Sequence, residues 1–195
     1  MGPVMEKSIT CQITDPEELE RFYLELIDRF ERHRIEIVNG RIVVRAMATI
    51  AHADVVYHLT SQLMPFSAEK GWRIYSEAKI FLQAQADRYE PDLIVVPADR
   101  RLWDPSHVYA NTTLLVVEVV SPGSVHDDRV IKPRNCALAG VPLYLVIDTF
   151  ASRFRLLSLP GPEGYAHEIT ESLGKPLELP APWSLTIDTG RLVEA

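Results

Sequence analysis

Glu90-Pro91-Asp92-Leu93-Ile94-Val95-Val96 and, further on, Leu114-Leu115-Val116-Val117-Glu118-Val119-Val120 are two apolar runs, each carrying an acid. Short Val- and Leu-rich runs of this kind read as strands buried on both faces. Carboxylates are depleted from strands and almost never fully buried unless they are paired or hold a metal. Two of them delivered by adjacent strands make a site for a hard cation. At about 4 Å, two like charges repel by roughly 4 kcal/mol at an effective dielectric of 20. A proton, a lysine or a divalent cation must relieve that repulsion. Magnesium, with manganese as the alternative, suits Asp92 and Glu118 because it takes few carboxylates and keeps several waters. Such a cation polarises a phosphodiester and lowers the pKa of an attacking water. The segment Asp128-Arg129-Val130-Ile131-Lys132 follows closely. Its Lys132 could orient that water or offset charge on the scissile phosphate.

Working outward, Asp15-Pro16-Glu17-Glu18 has the features of a helix start, with Leu19, Phe22, Tyr23, Leu26, Ile27 and Phe30 at helical spacing. This N-terminal helix is expected over about residues 15–34, ahead of a core over about 35–190. Ile35-Glu36-Ile37-Val38 and Arg41-Ile42-Val43-Val44 flank Asn39-Gly40, a two-residue hairpin signal. Glu36 points away from Ile35 and Ile37, toward either solvent or a cleft. His52 opens a second helix reaching about Lys70, which Pro65 ends or kinks. Trp72 to Gln83, Tyr89 to Val96 and Thr113 to Val120 read as strands. A short helix from about Asp127 to Ala139 stops before Gly140, although Pro133 also allows Asp128 to Lys132 to be loop. Leu143 to Asp148 is an apolar strand, and Phe154 to Leu159, Tyr165 to Thr170 and Ser184 to Ile187 follow as a meander. The order predicts one mixed α/β domain spanning residues 1–195.

Composition narrows the function classes. The 195 residues are 47% apolar and 24% charged, ordinary for a globular protein. No run approaches the roughly 18–20 apolar residues that cross a bilayer, so no membrane partner is expected. Met1 to Gln12 lacks the features of a secretory leader, and Cys11 and Cys136 are too few for a disulfide framework. A reducing cytoplasm is the expected setting. The net charge of −7 gives no general attraction to DNA, whose axis carries about one negative charge per 1.7 Å. DNA binding therefore needs a local basic surface or a bridging metal. Arg129, Lys132 and Arg134 adjoin the acidic pair and could meet phosphates.

Other residues invite blander readings. His52 at a helix start could ligate metal, accept a proton or simply help to cap the helix. His126-Asp127-Asp128 reads as exposed turn, and Arg100-Arg101 and Arg153–Arg155 as solvated surface. Trp72, Trp103 and Trp183 read as packing anchors. Ser121 and Ser124 lack a His and acid at compatible spacing, which argues against serine hydrolysis. The apolar strands and helix faces exceed what one chain of this length obviously buries, so a homodimer is expected.

Pro91-Asp92, Glu118-Val119-Val120-Ser121-Pro122, Asp128, Lys132 and Gly140-Val141-Pro142-Leu143-Tyr144-Leu145-Val146-Ile147-Asp148 together resemble the Uma-type "putative restriction endonuclease" family. That family belongs to the PD-(D/E)XK nuclease superfamily. The resemblance extends to Ile35-Glu36-Ile37-Val38-Asn39-Gly40 and His52, covering about residues 30 to 190. It implies a restriction-endonuclease-like core, a mixed sheet flanked by helices, and magnesium-dependent hydrolysis of DNA phosphodiesters. It also implies that Asp92 and Glu118 bind the metal and that Lys132 replaces the superfamily lysine, which would fall on Val120. Glu36 and His52 would then face the same cleft. Pro133 after Lys132, and Cys136 where the family commonly has tyrosine, leave open a catalytically weak interaction module on the same scaffold. Hydrolysis of a smaller phosphoester is a third alternative.

Overall fold

The computed structural model describes residues 9–30, 33–46 and 48–193. In chain order the elements are β1 (Ile9–Gln12), α1 (Pro16–Arg29), β2 (Arg34–Val38), β3 (Arg41–Arg45), α2 (Ile50–Glu69), β4 (Arg73–Tyr75), β5 (Lys79–Leu82), β6 (Asp87–Tyr89), β7 (Leu93–Val96), β8 (His107–Tyr109), β9 (Leu115–Val119), α3 (Lys132–Leu138), β10 (Leu143–Asp148), β11 (Arg153–Gly161), β12 (Gly164–Ser172), β13 (Pro176–Leu179) and β14 (Leu185–Asp188). The fold is mixed α/β, as the element order predicts. It contains two six-stranded sheets rather than one. The first runs β1-β3-β2-β6-β5-β8, the second β12-β11-β10-β9-β7-β4, and β13-β14 form a separate hairpin.

Several boundaries move, each for a local reason. Asp15 caps α1 by accepting from Glu17 N at 2.8 Å and Glu18 N at 3.0 Å. The helix ends at Arg29, short of the expected residue 34, and residues 31 and 32 lie outside those described, as do the first eight of the N-terminal segment. Helix α2 starts at Ile50, with Thr49 as N-cap, and runs through Pro65 to Glu69. The expected strand from Trp72 to Gln83 divides into β4 and β5, which join different sheets; Glu77, at φ +57°, turns the chain between them. The run from Tyr89 to Val96 divides likewise, so β6 lies in the first sheet and β7 in the second. Strands β1, β8 and β13 are additions to the sequence expectation.

Alternation decides which side chains fill the seam between the sheets. In β9, Leu115, Val117 and Val119 pack toward α2, while Val116 packs into the seam beside Tyr144 and Val146 of β10. In β2, Ile35 and Ile37 pack against α1, and Val38 faces the seam with Val43 of β3. The period of two therefore sends Glu118 and Glu36 into the seam from opposite sheets. The Asn39-Gly40 turn, with φ of +52° and +67°, sets the β2–β3 register and lays Arg34 opposite Arg45. Strands β7, β9 and β10 are buried within the chain.

Candidate active site

The acidic residues meet where the seam opens to solvent. Strands β7 and β9 pair antiparallel with Leu93 opposite Val117, which places Asp92 and Glu118 at neighbouring positions on one face. Asp92 Oδ2 accepts the Val119 N–H at 2.7 Å, locking the two segments together.

Lys132 is the centre of the cluster, buried to 1% exposure. Its Nζ lies 2.8 Å from Glu36 Oε1, 2.9 Å from Glu118 Oε1 and 3.3 Å from Asp128 Oδ1. A π turn over Asp127–Ile131, closed by Lys132 N donating to Asp127 O, aims it there. Pro133 accounts for the irregularity. It sits in the first turn of α3 and has no N–H to donate to the Arg129 carbonyl, which instead accepts from Arg155 Nη1 at 2.9 Å. The proline thus sets the lysine in the cleft; a loop over Asp128 to Lys132 is not formed. Single π turns recur at functional sites.

Around that centre the carboxylates behave differently. Burial works to raise the Glu36 carboxyl, but Lys132, Arg45 and Arg34 outweigh it and hold it down at about 2. Arg45 Nε donates to Glu36 Oε2 at 3.0 Å, and the Glu90 N–H donates to Oε1 at 2.9 Å. Asp92 is also held ionised: burial opposes charge, yet His52, Arg34 and the Val119 N–H prevail. Arg34 Nη1 lies 2.7 Å from Asp92 Oδ1, and His52 Nε2 lies 3.0 Å from the same oxygen. Glu118 goes the other way. Burial pushes it well above the usual carboxylate range, Lys132 offsets this only partly, and Asp128, Asp92 and Glu36 add repulsion. Asp128 is raised chiefly by burial too.

The charges do not cancel. Glu36, Asp92, Glu118 and Asp128 are buried, and they share three cations, Arg34, Arg45 and Lys132. Asp127 shares Arg45 at 2.7 Å and brings its own partner, Arg41, at 3.2 Å, so it leaves the difference unchanged. One carboxylate is left over, and Glu118 is the one that burial disfavours most. Desolvated charge of this kind is costly unless compensated, and it marks candidate functional sites. Arg34, Asp92, His52, Ser121, Asp128 and Lys132 border a cavity of about 30 Å³, room for an ion or one or two waters. Asp92 and Asp128 border this cavity, and Glu118, opposite Asp92 in the strand pairing, is buried outside its lining; these carboxylate oxygens, one acid in excess of the cations beside them, suit a hard divalent cation. Among the described residues no three His, Cys, Asp or Glu groups form a ready-made cage.

All five residues singled out from the sequence therefore reach one cleft. Glu36 points inward to the cleft and away from solvent. His52 turns its ring to Asp92, while the capping role belongs to Thr49, whose Oγ1 accepts the His52 N–H at 3.3 Å. Two expectations fail. Asp128 is buried in the cluster and Asp127 is half-buried beside it, because the π turn rolls them inward; neither is exposed turn. Arg129 is tied to Asp148 and does not stand free for phosphate. Arg34 and Arg45 escape a sequence reading because arginines at strand ends look like surface. One signal exists: the hairpin sets them opposite each other, and like charges so placed require acids nearby.

The comparisons bear on fold and family. A crystal structure described as "a putative nuclease belonging to DUF820 from Anabaena variabilis" aligns with a TM-score of 0.64 at 15% identity, covering 82% of this chain and 89% of that one. At that identity the match shows a shared fold. No curated protein matches the chain. The model of the family Uma2, described as "Putative restriction endonuclease", matches residues 16–189, and the chain belongs to that family.

Proposed function

We propose that the chain is a magnesium-dependent endonuclease that hydrolyses phosphodiester bonds in DNA. The observation that carries this reading is the convergence of Glu118, Asp128 and Glu36 on Lys132 beside Asp92, with one buried carboxylate beyond the cations present. Magnesium or manganese, when bound by Asp92 and Glu118, would supply Lewis-acid stabilisation of the phosphate and a more acidic water. The chain's own residues do the positioning. Lys132, fixed by three carboxylates, holds a positive charge at the cleft wall where charge develops on the phosphate. Glu36, itself held by Arg45, fixes Lys132 from the facing sheet. Arg34, half-buried and reaching Asp92 from the strand end, can turn to a phosphate oxygen once Asp92 engages a cation. His52 keeps Asp92 oriented from the helix side.

Supercoiled plasmid incubated with magnesium tests this directly. Nicking or linearisation is expected for the native chain and a loss of at least a hundredfold for Asp92→Asn or Glu118→Gln, with circular dichroism confirming that each variant folds. Cleavage unchanged in both variants would sink the assignment. The non-catalytic module is the competing reading. What favours it is that Asp92 and Lys132 already have their charges met by neighbouring side chains. Magnesium-dependent cleavage that vanishes in Glu118→Gln decides against it.

A further inference from the structure

Beside the acidic cleft lies a second, larger cavity that the chemistry above does not use. Its volume is about 480 Å³, and Val55, Val120, Pro122, Thr149, Phe150 and Leu192 form much of its wall. It adjoins the cleft, since His52, Val119 and Ser121 border both. The wall is mainly apolar, with Thr49, Ser121 and Thr149 supplying hydroxyls and His52 and Asp54 the other polar groups. Phe150 is 65% exposed although the turn that carries it is firmly held. Asp148 Oδ1 accepts the Ala151 N–H at 2.9 Å, Ser152 N donates to Thr149 O at 3.3 Å, and Arg129 anchors the other Asp148 oxygen. A large ring kept in water on a fixed turn, at the mouth of an apolar cavity, is a surface prepared for another flat apolar group.

Building on the nuclease reading, we propose that this cavity receives the base and deoxyribose of an unpaired nucleotide next to the scissile phosphate, with Phe150 as the stacking platform. The substrate class that follows is single-stranded or locally unpaired DNA. Three observations lead there. The cavity shares a wall with the cleft where the phosphate would lie, so a group that fills it can belong to the same strand. Its volume falls in the range of small-ligand pockets, roughly 300–1,000 Å³. The net charge of −7 offers no general pull on a duplex, so affinity must come from local contacts such as base stacking, which is independent of sequence. A base stacked inside a duplex must first be extruded to reach such a cavity, whereas an unpaired one enters without that cost.

The test measures fluorescence anisotropy of a labelled 12-nucleotide DNA strand, the same strand in a duplex, and a duplex with one bulged nucleotide, all in EDTA. Magnesium-dependent cleavage of the three is measured in parallel. Expected are at least tenfold tighter binding of the strand and the bulge than of the duplex, and cleavage in the same order. Phe150→Ala should weaken strand binding roughly 5- to 150-fold, in line with loss of one stacked base, while Phe150→Trp keeps it. Equal binding of strand and duplex, or an unchanged Phe150→Ala, overturns the cavity assignment even where cleavage persists and the nuclease reading stands. Cleavage absent from all three DNAs removes the nuclease reading, and strand-selective binding that depends on Phe150 would still support the cavity. Absence of binding to any of the DNAs overturns the proposal.

Discussion

Lys132 shows how a buried cation and its acids depend on one another. Its ammonium is pushed upward in pKa because Glu118, Glu36 and Asp128 outweigh the cost of burial, so it stays charged. Removing it strands three carboxylates in the seam. Lys132→Met is expected to destabilise the chain by about 3–5 kcal/mol, the usual range for breaking a buried ion pair from one side. Urea denaturation measures that. The double variant Lys132→Met/Glu118→Gln should recover part of the loss, since one of the stranded charges goes with it; an equal or larger loss would contradict the pairing. The same cluster shows what one chain of letters reveals. Asp92 and Glu118 are legible because acids in Val-rich runs break the strand pattern. Lys132 is legible as the first lysine after Glu118 and by its family position, and Glu36 and His52 by their phase and family position. Asp128, Arg34 and Arg45 are not, because their burial depends on a π turn and on a pairing between distant segments. Charge on those residue types normally means solvent.

At the scale of elements, the hairpin, the helices and the strap before β8 each set a side chain by local means. Helix α2 carries His52 near one end and tolerates Pro65 on its exposed face. Pro65 cannot donate to the Ser61 carbonyl one turn earlier. Pro65→Ala should therefore raise stability by about 1–2 kcal/mol, the restored hydrogen bond being partly offset by a more flexible unfolded chain; the urea midpoint reads it, and a decrease would count against the account. The strap from Asp104 to His107 is a stretch whose polar letters suggest only loop. Asp104 Oδ1 accepts from Ser106 N at 2.7 Å and His107 N at 2.8 Å, and lies 2.9 Å from His107 Nδ1. Burial works to raise its carboxyl, but these partners bring it down to about 2. A carboxyl lowered by folding stabilises above its unfolded value near 4 and loses that contribution as pH falls toward 2. Asp104→Asn should lower stability at pH 6 and flatten the decline between pH 4 and 2. Equal slopes in thermal melts of both proteins would refute it. Strands such as Leu143–Asp148 are readable by their runs, whereas short ones such as His107–Tyr109 owe their pairing to β5 and leave no pattern of their own.

Across the whole molecule, two sheets pack face to face and place one more acid than cations at one end of their shared core. Division of the chain at Glu90-Pro91-Asp92 makes this possible, because it passes the backbone from one sheet to the other and leaves an acid at the crossing. A sequence reading sees a single strand there, since Pro91 and the residues around it are locally compatible with one; which sheet each half joins is decided by distant partners. Because the surplus charge is buried only in the folded chain, a cation that neutralises it must bind the folded state and stabilise it. The linkage is quantitative. A ligand at a hundred times its Kd, with no affinity for the unfolded chain, adds about 2.7 kcal/mol. For a chain of this size that corresponds to a rise in Tm of roughly 5–10 °C. Manganese titrated into the EDTA-treated protein should raise Tm in this way, following a single-site curve, and magnesium should do so at higher concentration. Glu118→Gln should raise Tm without metal, because it removes the carboxylate that burial disfavours most, and should abolish the further rise with manganese. A Tm that ignores manganese, or that still responds in Glu118→Gln, would show that the surplus charge is balanced by protonation instead of by a cation.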